Sequence, residues 1–191
     1  MLSYAVFSGI TLGGMYALVA MGLTLQYGVS RIMNLAYGEL VVVASFAAFV
    51  LMTSAGINPV IGLLILIPAS FALNWAIYRI LLKPLVARAK NRGMLEVDSI
   101  LATFGLLFIV QGVLLVWFGG NYYSYDFMNS AVNVFGAAIA ANRLVALGFA
   151  VVIGLGFYLI LTRTRIGTAL RAVAVDPQSA RLVAIDVNFA A

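Results

Sequence analysis

The chain has 191 residues, of which 64% are hydrophobic and only 9% are charged. Soluble domains normally carry about 25% charged residues. The charges here are too few to build a water-facing surface, so lipid must cover much of the protein. Cysteine and histidine are absent, which excludes disulfides, thiolate zinc sites and catalysis by Cys or His. The net charge of +5 does not indicate nucleic-acid binding, because the basic residues lie beside apolar runs, where they set membrane topology.

The apolar runs predict five membrane-spanning helices, each of which needs about 20 residues. They lie near residues 5–27, 36–55, 60–79, 99–118 and 144–162. As a single helix the charge-free run 40–78 would measure about 58 Å, nearly twice the ~30 Å hydrocarbon core, so it must reverse at the turn residues Gly56 to Pro59. Strands of a membrane barrel alternate in polarity, whereas these segments are apolar on all sides. The predicted fold class is all-α: a polytopic transmembrane helix bundle with short cytoplasmic coupling helices.

The basic residues predict the orientation. With five spans and the N-terminus outside, ten of the eleven lysines and arginines face the cytoplasm, and only Arg143 faces outward. The ten are Arg31, Arg79, Lys83, Arg88, Lys90, Arg92, Arg163, Arg165, Arg171 and Arg181. We therefore expect a multi-pass membrane protein with a cytoplasmic loop at 79–98 and a cytoplasmic C-terminal segment at 163–191.

Residues 119–143 form the long outer segment in this topology. It opens with Gly119-Gly120-Asn121-Tyr122-Tyr123, and its aromatic residues suit a membrane interface. Its length predicts a short helix lying on the outer surface.

The polar stretch from Arg31 to Glu39 leaves two interpretations open. It can be a cytoplasmic turn, in which Asn34 caps the next helix and the dipole of that helix stabilises the Glu39 carboxylate. It can instead be a break at membrane depth, which is tolerated only where it lines a cavity, and Glu39 would then be functional. Gln111, in the middle of the fourth span, is either an interhelical hydrogen-bonding residue or a ligand contact. Asn34, Glu39 and Gln111 are the candidate pathway residues.

No residue is predicted to be catalytic. The chain contains no Gly-Lys pair and therefore no P-loop, so any ATP hydrolysis would belong to another subunit. Acidic residues lie at or beyond the ends of the spans, which disfavours a proton-coupled transporter. We expect neither a metal site nor a cofactor.

The tail after the fifth span begins with an amphipathic pattern. Ile166, Leu170 and Val173 are spaced four and three residues apart, which places them on one helix face with Arg171 beside it. Such a helix either fills a groove on a partner protein or lies on lipid with its arginines at the headgroups. The residues alone leave both possibilities open.

A second short helix is predicted at about 177–184. Asp176 is a candidate N-cap, and Pro177 suits the first helical position. Arg181 lies within this helix and could pair with acidic groups of a partner.

Several stretches together resemble the permease subunits of branched-chain amino acid ABC importers. They are Gly9 to Leu18 with Gly22 through Gly28, Met33 to Glu39, Ile100 to Gly112, and the tail from Arg163 to Asp186. The tail is similar to the cytoplasmic loop that docks into the ATP-binding subunit in that family. The resemblance implies a single transmembrane permease domain over 1–191, with an ATPase-coupling segment at 163–191.

The resemblance also implies partners: ATP-binding subunits, a second permease subunit, an extracytoplasmic substrate-binding protein and the lipid of the plasma (inner) membrane. Members of the family are longer, so we expect this chain to be an N-terminal part of such a permease. The substrate could be a branched-chain amino acid, urea or a short amide. The alternative functions are a secondary transporter or channel that works without an ATPase, and a structural membrane protein.

Overall fold

The computed structural model describes residues 2–89, 91–134 and 137–175. Its elements are α1 (Leu2–Ser30), α2 (Tyr37–Ala55), α3 (Pro59–Ile77), a π-helical turn (Tyr78–Leu82), α4 (Lys83–Arg88), α5 (Arg92–Phe118), β1 (Ala131–Val134), β2 (Ala137–Ala140), α6 (Ala141–Arg163) and α7 (Arg165–Val175). Among the described residues, five helical stretches are long and apolar enough to cross a membrane. They are Tyr4–Ser30, Tyr37–Ala55, Pro59–Arg88, Gly93–Phe118 and Ala141–Arg163. This confirms the five predicted spans and the all-α, polytopic fold class.

The chain divides into two compact units. The first contains α1 together with β1, β2, α6 and α7, and the second is residues 31–126, which contain α2 to α5. Each unit is therefore built mainly from spanning helices.

In the first unit, α1 packs along α6 at small residues. A Cβ atom added at Gly14 would lie 2.8 Å from Leu147 Cδ1 and 3.6 Å from Ala150 Cβ. At Gly154 an added Cβ would lie 3.9 Å from Leu18 Cδ2. Small residues let helix backbones approach closely in lipid, where van der Waals packing holds helices together.

In the second unit, α2 and α3 form the reversal that the turn residues predict. Gly56 ends α2 with φ 64°, a left-handed conformation that glycine adopts without steric cost. The Asn58 side chain accepts a hydrogen bond from the Val60 N–H at 3.0 Å, and Pro59 occupies the first turn of α3. The charge-free run is thus divided where the sequence predicts.

The π-helical turn after α3 is explained by Pro84. A proline in a helix cannot donate to the carbonyl four residues back, here that of Ile80, and its ring clashes with that carbonyl. The wider turn relieves the clash, because the Lys83 N–H bonds to the Tyr78 carbonyl five residues back. The helix can therefore continue to Arg88.

The predicted cytoplasmic loop at 79–98 is mostly helical. The helix ends only at Arg88, and α5 begins at Arg92, where the Asn91 side chain accepts a hydrogen bond from the Met94 N–H at 2.9 Å. The charged residues mark where the hydrocarbon layer of the membrane ends. A helix, however, makes its own backbone hydrogen bonds in water as well as in lipid. The helices therefore extend past the first charged residues.

The predicted surface helix within 119–143 is wrong. After Phe118 the backbone is irregular as far as Ser130, and two antiparallel strands follow, with Ala131 opposite Ala140 and Val134 opposite Ala137. The alternating sequence Ala-Val-Asn-Val, rich in β-branched residues, favours a strand. The helix prediction was based on the length of the segment, which does not distinguish a helix from a strand.

Few side chains are buried, as expected for helices covered by lipid. In the described part of the chain the buried apolar residues are Ile32, Ala36, Leu40, Leu82, Ile139, Ala150 and Val173. Large apolar side chains point outward instead: Val116 is 83% exposed and Trp117 is 78% exposed. In a membrane such faces contact lipid tails that are as apolar as they are.

Candidate functional site

The stretch that precedes α2, residues 31–36, is not helical, and its buried residues alternate with the exposed Met33 and Leu35. Ile32, Asn34 and Ala36 are only 3%, 5% and 0% exposed. The Asn34 side chain accepts a hydrogen bond from the Ala36 N–H at 3.0 Å. The N-cap position is Ala36, and no side chain caps α2 there, so the predicted capping role of Asn34 is wrong. Its side-chain oxygen reaches the N–H two residues on and closes a turn before the helix begins.

Two hydroxyls of α5 bind the backbone of this stretch, and we call Ser99 and Thr103 the hydroxyl clasp. Ser99 Oγ accepts a hydrogen bond from the Met33 N–H at 3.2 Å, and Thr103 Oγ1 accepts one from the Leu35 N–H at 3.1 Å. The single proton of the Thr103 hydroxyl can be donated to the Ser99 carbonyl oxygen at 2.7 Å, within α5, or to the Met33 carbonyl oxygen at 3.1 Å. Both clasp residues are fully buried. The clasp therefore provides hydrogen-bond partners for backbone groups that are not paired within a helix or a strand.

The clasp lies along α5 and not at its end. Ser99 and Thr103 follow Arg92, the first residue of α5, by seven and eleven positions. These separations correspond to about 10 and 16 Å of helix. The non-helical stretch is thus seated against the side of a spanning helix, which is how irregular backbone is accommodated when protein covers it.

Glu39 and Gln111, two of the three candidate pathway residues, line one cavity of about 440 Å³, which we call the Glu39 cleft. Its other lining residues are Val42, Phe46, Phe108, Gly112, Leu114, Leu115 and Gly119. Within residues 2–89, 91–134 and 137–175, neither the Glu39 carboxylate nor the Gln111 amide has a hydrogen-bond partner. A charge and an amide thus share a cleft with otherwise apolar walls, while the Asn34 side-chain oxygen is hydrogen-bonded to the Ala36 N–H.

A larger cavity of about 900 Å³ lies between α2, α3 and Asn121–Tyr125, and we call it the aromatic chamber. Phe46 packs on Phe118 with 4.2 Å between ring centroids, and Phe49 packs on Tyr123 at 5.2 Å. The Tyr123 hydroxyl donates a hydrogen bond to the Phe118 carbonyl at 2.7 Å. These contacts fix the segment after α5 over the chamber.

A tight elbow joins α6 to α7. Thr164 caps α7, because its Oγ1 accepts a hydrogen bond from the Gly167 N–H at 3.1 Å. Gly167 is buried, and a Cβ atom added to it would clash with the backbone of Ile160 and Leu161. The elbow therefore requires glycine at 167, a residue that the spacing argument did not single out. The Thr-x-x-Gly pattern after the last span is the signal that could have identified it.

The three apolar residues predicted on one face of α7 differ in exposure. Ile166 is 66% exposed, Leu170 is half-buried and Val173 is only 1% exposed. Leu170 and Arg171 line a groove of about 640 Å³ that α7 forms with α1 and α6. Part of the predicted face thus packs against other helices of this chain. Ile166, at the start of α7, is the residue of that face that stays accessible.

The remaining predicted coupling residues, Asp176, Pro177 and Arg181, lie outside the described residues, as does the predicted helix at 177–184.

The sequence matches the family described as the permease component of branched-chain amino acid transport systems, over residues 5–190. The chain belongs to this family. A permease of this family with five apolar helices is a multi-pass membrane protein.

Curated relatives of the permease chain carry the same description. It is 25% identical to the high-affinity branched-chain amino acid permease BraD of Pseudomonas aeruginosa, over 95% of this chain and 62% of that protein. It is 28% identical to a probable branched-chain amino acid permease, LivH, of Methanocaldococcus jannaschii, over 94% of this chain and 57% of that protein. It is 24% identical to LivH of Salmonella typhimurium, over 95% of this chain and 62% of that protein. The chain thus spans about three fifths of the length of these relatives. No solved structure matches it significantly.

Proposed function

We propose that this chain forms part of the translocation pathway of an ATP-driven importer for branched-chain or related small amino acids. The observation that carries the proposal is α7, which folds back directly after the last span and leaves Ile166 exposed beside basic residues. Membership of the permease family supports it. The chain itself is non-catalytic, and its partners hydrolyse ATP.

The orientation in this proposal follows the basic residues. The N-terminus faces outward, and the Arg79–Arg92 region and the segment from Arg163 face the cytoplasm across the plasma (inner) membrane. α7 then lies where ATP-binding subunits bind. A second permease subunit and an extracytoplasmic substrate-binding protein complete the importer.

Coupling residues are assigned according to their exposure. Ile166 contacts the ATP-binding subunit, and Arg171 pairs with an acidic group near it. Leu170 and Val173 hold α7 in place from its buried side. Asp176, Pro177 and Arg181 continue the coupling segment of 163–191.

The Glu39 cleft is the part of the pathway that this chain contributes. A carboxylate and an amide that have no hydrogen-bond partner among the described residues, in an apolar cleft, can bind the ammonium and carboxylate groups of an amino acid. The apolar walls suit a branched side chain. Intramembrane ionisable groups generally mark solute paths.

The test is association with an ATPase. The full-length protein is co-expressed with the ATP-binding subunit from neighbouring genes and purified in detergent. Ile166→Asp places a charge at the exposed start of α7 and should weaken association roughly fivefold or more, since a lost anchor costs about 1–3 kcal/mol. Thr168→Asp, also exposed on α7, is the matched control and should have a much smaller effect.

Two outcomes would contradict the proposal. Equal effects of the two substitutions, or no effect of either, would make α7 a helix that lies on lipid. Uptake of amino acid without any bound ATPase would support the channel or secondary-transporter alternative.

A further inference from the structure

One side of α3 carries an ordered series of exposed side chains, Leu64, Phe71, Trp75, Arg79 and Lys83, which we call the α3 face. Leu64 and Phe71 are the two most exposed large apolar side chains of α3. Trp75 is 52% exposed, and Arg79 and Lys83 are exposed in the helical stretch that continues α3 to Arg88. Side chains four or seven positions apart lie on the same side of a helix. Apolar groups, an indole ring and two cations therefore follow one another along a single face.

The π-helical turn between Arg79 and Lys83 keeps both cations on this face. Its backbone hydrogen bond joins Lys83 to Tyr78, five residues back, so a full turn takes more residues than in an α-helix. A residue four positions on is then still a neighbour along the axis. The two cations therefore lie one above the other at the same end of the face.

The Arg79 guanidinium is positioned by the Trp75 ring. Its Cζ lies 5.1 Å from the ring centroid, within the range of a cation–π contact. Within the part of the chain that the structure describes, the Arg79 guanidinium and the Lys83 ammonium make no hydrogen bond or ion pair. A guanidinium presents five N–H donors and an ammonium three. Most of these donors are thus available to an anion outside this unit.

The length of the face matches one leaflet of a bilayer. Leu64 and Arg79 are fifteen positions apart in the sequence, which corresponds to about 22 Å of helix. Half of a bilayer with its headgroups measures about 20 Å. With Arg79 and Lys83 at the headgroups, Trp75 lies at the interface that tryptophan prefers, and Phe71 and Leu64 lie beside the acyl chains. An acidic protein surface would match the two cations only, and not the apolar length below them.

We propose that the α3 face binds one anionic phospholipid, whose phosphate pairs with Arg79 and Lys83 and whose acyl chain lies along Trp75, Phe71 and Leu64. The inference uses the fact that the chain is a multi-pass membrane protein and does not depend on the solute or on the ATPase. In the orientation proposed above, the lipid belongs to the cytoplasmic leaflet, which carries the anionic lipids.

The test uses tryptophan fluorescence, because bromine atoms on an acyl chain quench a tryptophan that they contact. The full-length protein with Trp75 as its only tryptophan is placed in vesicles of equal parts phosphatidylglycerol and phosphatidylcholine. Either one lipid or the other carries the bromine, so the surface charge is the same in both samples. The ratio of the two quenching strengths then reports which lipid occupies the α3 face.

The internal reference is a second protein in which Trp117 is the only tryptophan. Trp117 is also strongly exposed on a spanning helix, but no lysine or arginine lies between Arg92 and Arg143 in the sequence. Trp117 should therefore be quenched about equally by the two lipids. Trp75 should favour phosphatidylglycerol at least about fivefold, which is the contribution of one basic residue near an anionic lipid surface.

Arg79→Gln should lower the preference at Trp75 at least about threefold, because one of the two phosphate partners is lost. Arg88→Gln is the matched control. It removes the same charge from an exposed residue of the same helical stretch, but Arg88 follows Lys83 by five positions and so lies on another side of α4. The preference at Trp75 should stay within about 1.5-fold of the native value in this variant.

Equal quenching of Trp75 by the two brominated lipids would overturn the proposal and would leave Arg79 and Lys83 as side chains that only reach toward water. A preference of the same size at Trp117, or an equal loss in Arg88→Gln, would also overturn it, since the effect would then belong to the net charge of the protein. If Arg79→Gln is not recovered in the membrane, Lys83→Gln replaces it, and an unchanged preference in that variant counts against the site in the same way.

Discussion

The Thr103 hydroxyl accepts a hydrogen bond from the Leu35 backbone N–H at 3.1 Å, although the two residues are 68 positions apart in the chain. This bond ties the non-helical stretch before α2 to the side of α5. Since α2 begins at Tyr37, the same bond helps to determine where Glu39 lies.

We predict that Thr103→Val loosens this stretch without unfolding the helices. Valine has nearly the same shape, but the Leu35 N–H loses its partner, which costs about 1–3 kcal/mol for a buried group. Hydrogen exchange of the peptide containing residues 31–38 should become at least about fivefold faster. Thr103→Ser should preserve the native rate. Thr53→Val removes a hydroxyl that donates to the Phe49 carbonyl at 2.8 Å within its own helix, and it should leave this peptide unchanged. An unchanged rate in Thr103→Val would mean that the clasp does not stabilise the stretch.

We predict that Gly167→Ala opens the elbow between α6 and α7. The added methyl group meets the backbone of Ile160 and Leu161, and overpacking of this kind costs about 1–3 kcal/mol. Limited trypsin cleavage at Arg165 and Arg171 should therefore accelerate at least about fivefold, since cleavage follows the population of opened molecules. In Gly148→Ala, in α6, the added methyl group meets no atom of the described residues within 4 Å, and this variant should be cleaved like the native chain. Similar rates for the two variants would show that the elbow tolerates a side chain.

We predict that Glu39→Gln impairs transport far more than folding. The carboxylate lies in the first turn of α2, where its interaction with the helix dipole contributes less than about 1 kcal/mol. A charge-assisted hydrogen bond to a substrate ammonium group contributes about 1.5–3 kcal/mol, so leucine uptake by the complete importer should fall roughly tenfold or more. Asp98→Asn, which alters a carboxylate of α5 outside the cleft, is the control for charge loss. Normal uptake in Glu39→Gln would mean that the Glu39 carboxylate does not bind substrate and only interacts with the dipole of α2.

We predict that Arg88→Cys and Tyr122→Cys are labelled from opposite sides of the membrane. Arg88 ends α4 before α5 crosses, and Tyr122 follows α5. Both side chains are exposed, so an impermeant thiol reagent should reach each from one side only, with Arg88→Cys on the cytoplasmic side. Labelling of both cysteines from the same side would contradict the five-span topology.

The spans and the reversal at Gly56 were predictable because their signals are local. The length of an apolar run decides whether it crosses, and Gly56, Asn58 and Pro59 act on their immediate neighbours. The Glu39 cleft was predictable only in part. Glu39 and Gln111 stand out as polar residues in an apolar sequence, but their meeting in one cleft depends on the packing of α2 against α5.

The hydroxyl clasp and the packing around Phe46 were not predictable from the sequence. In the sequence, Ser99 and Thr103 look like any other hydroxyl residues of a helix, and the backbone groups that they bind before α2 lie 66 to 70 positions away. Phe46 is one aromatic residue among many in an apolar helix. That it lines both the aromatic chamber and the Glu39 cleft is a tertiary property that periodicity does not encode.

The π-helical turn at Tyr78–Leu82 has a consequence for the angular position of the residues that follow it. The Lys83 N–H bonds five residues back, so the turn holds one residue more than an α-helical turn would. Each residue of an α-helix advances by about 100°. Lys83 and Arg88 therefore project on a different side of the axis from the one they would occupy in an uninterrupted helix. Deleting one residue within the turn would swing both basic side chains around the helix and would bring Pro84 back against a carbonyl oxygen. Inserting or deleting a single residue in this turn would therefore rotate the basic end of the helix, with Lys83 and Arg88, about the helix axis.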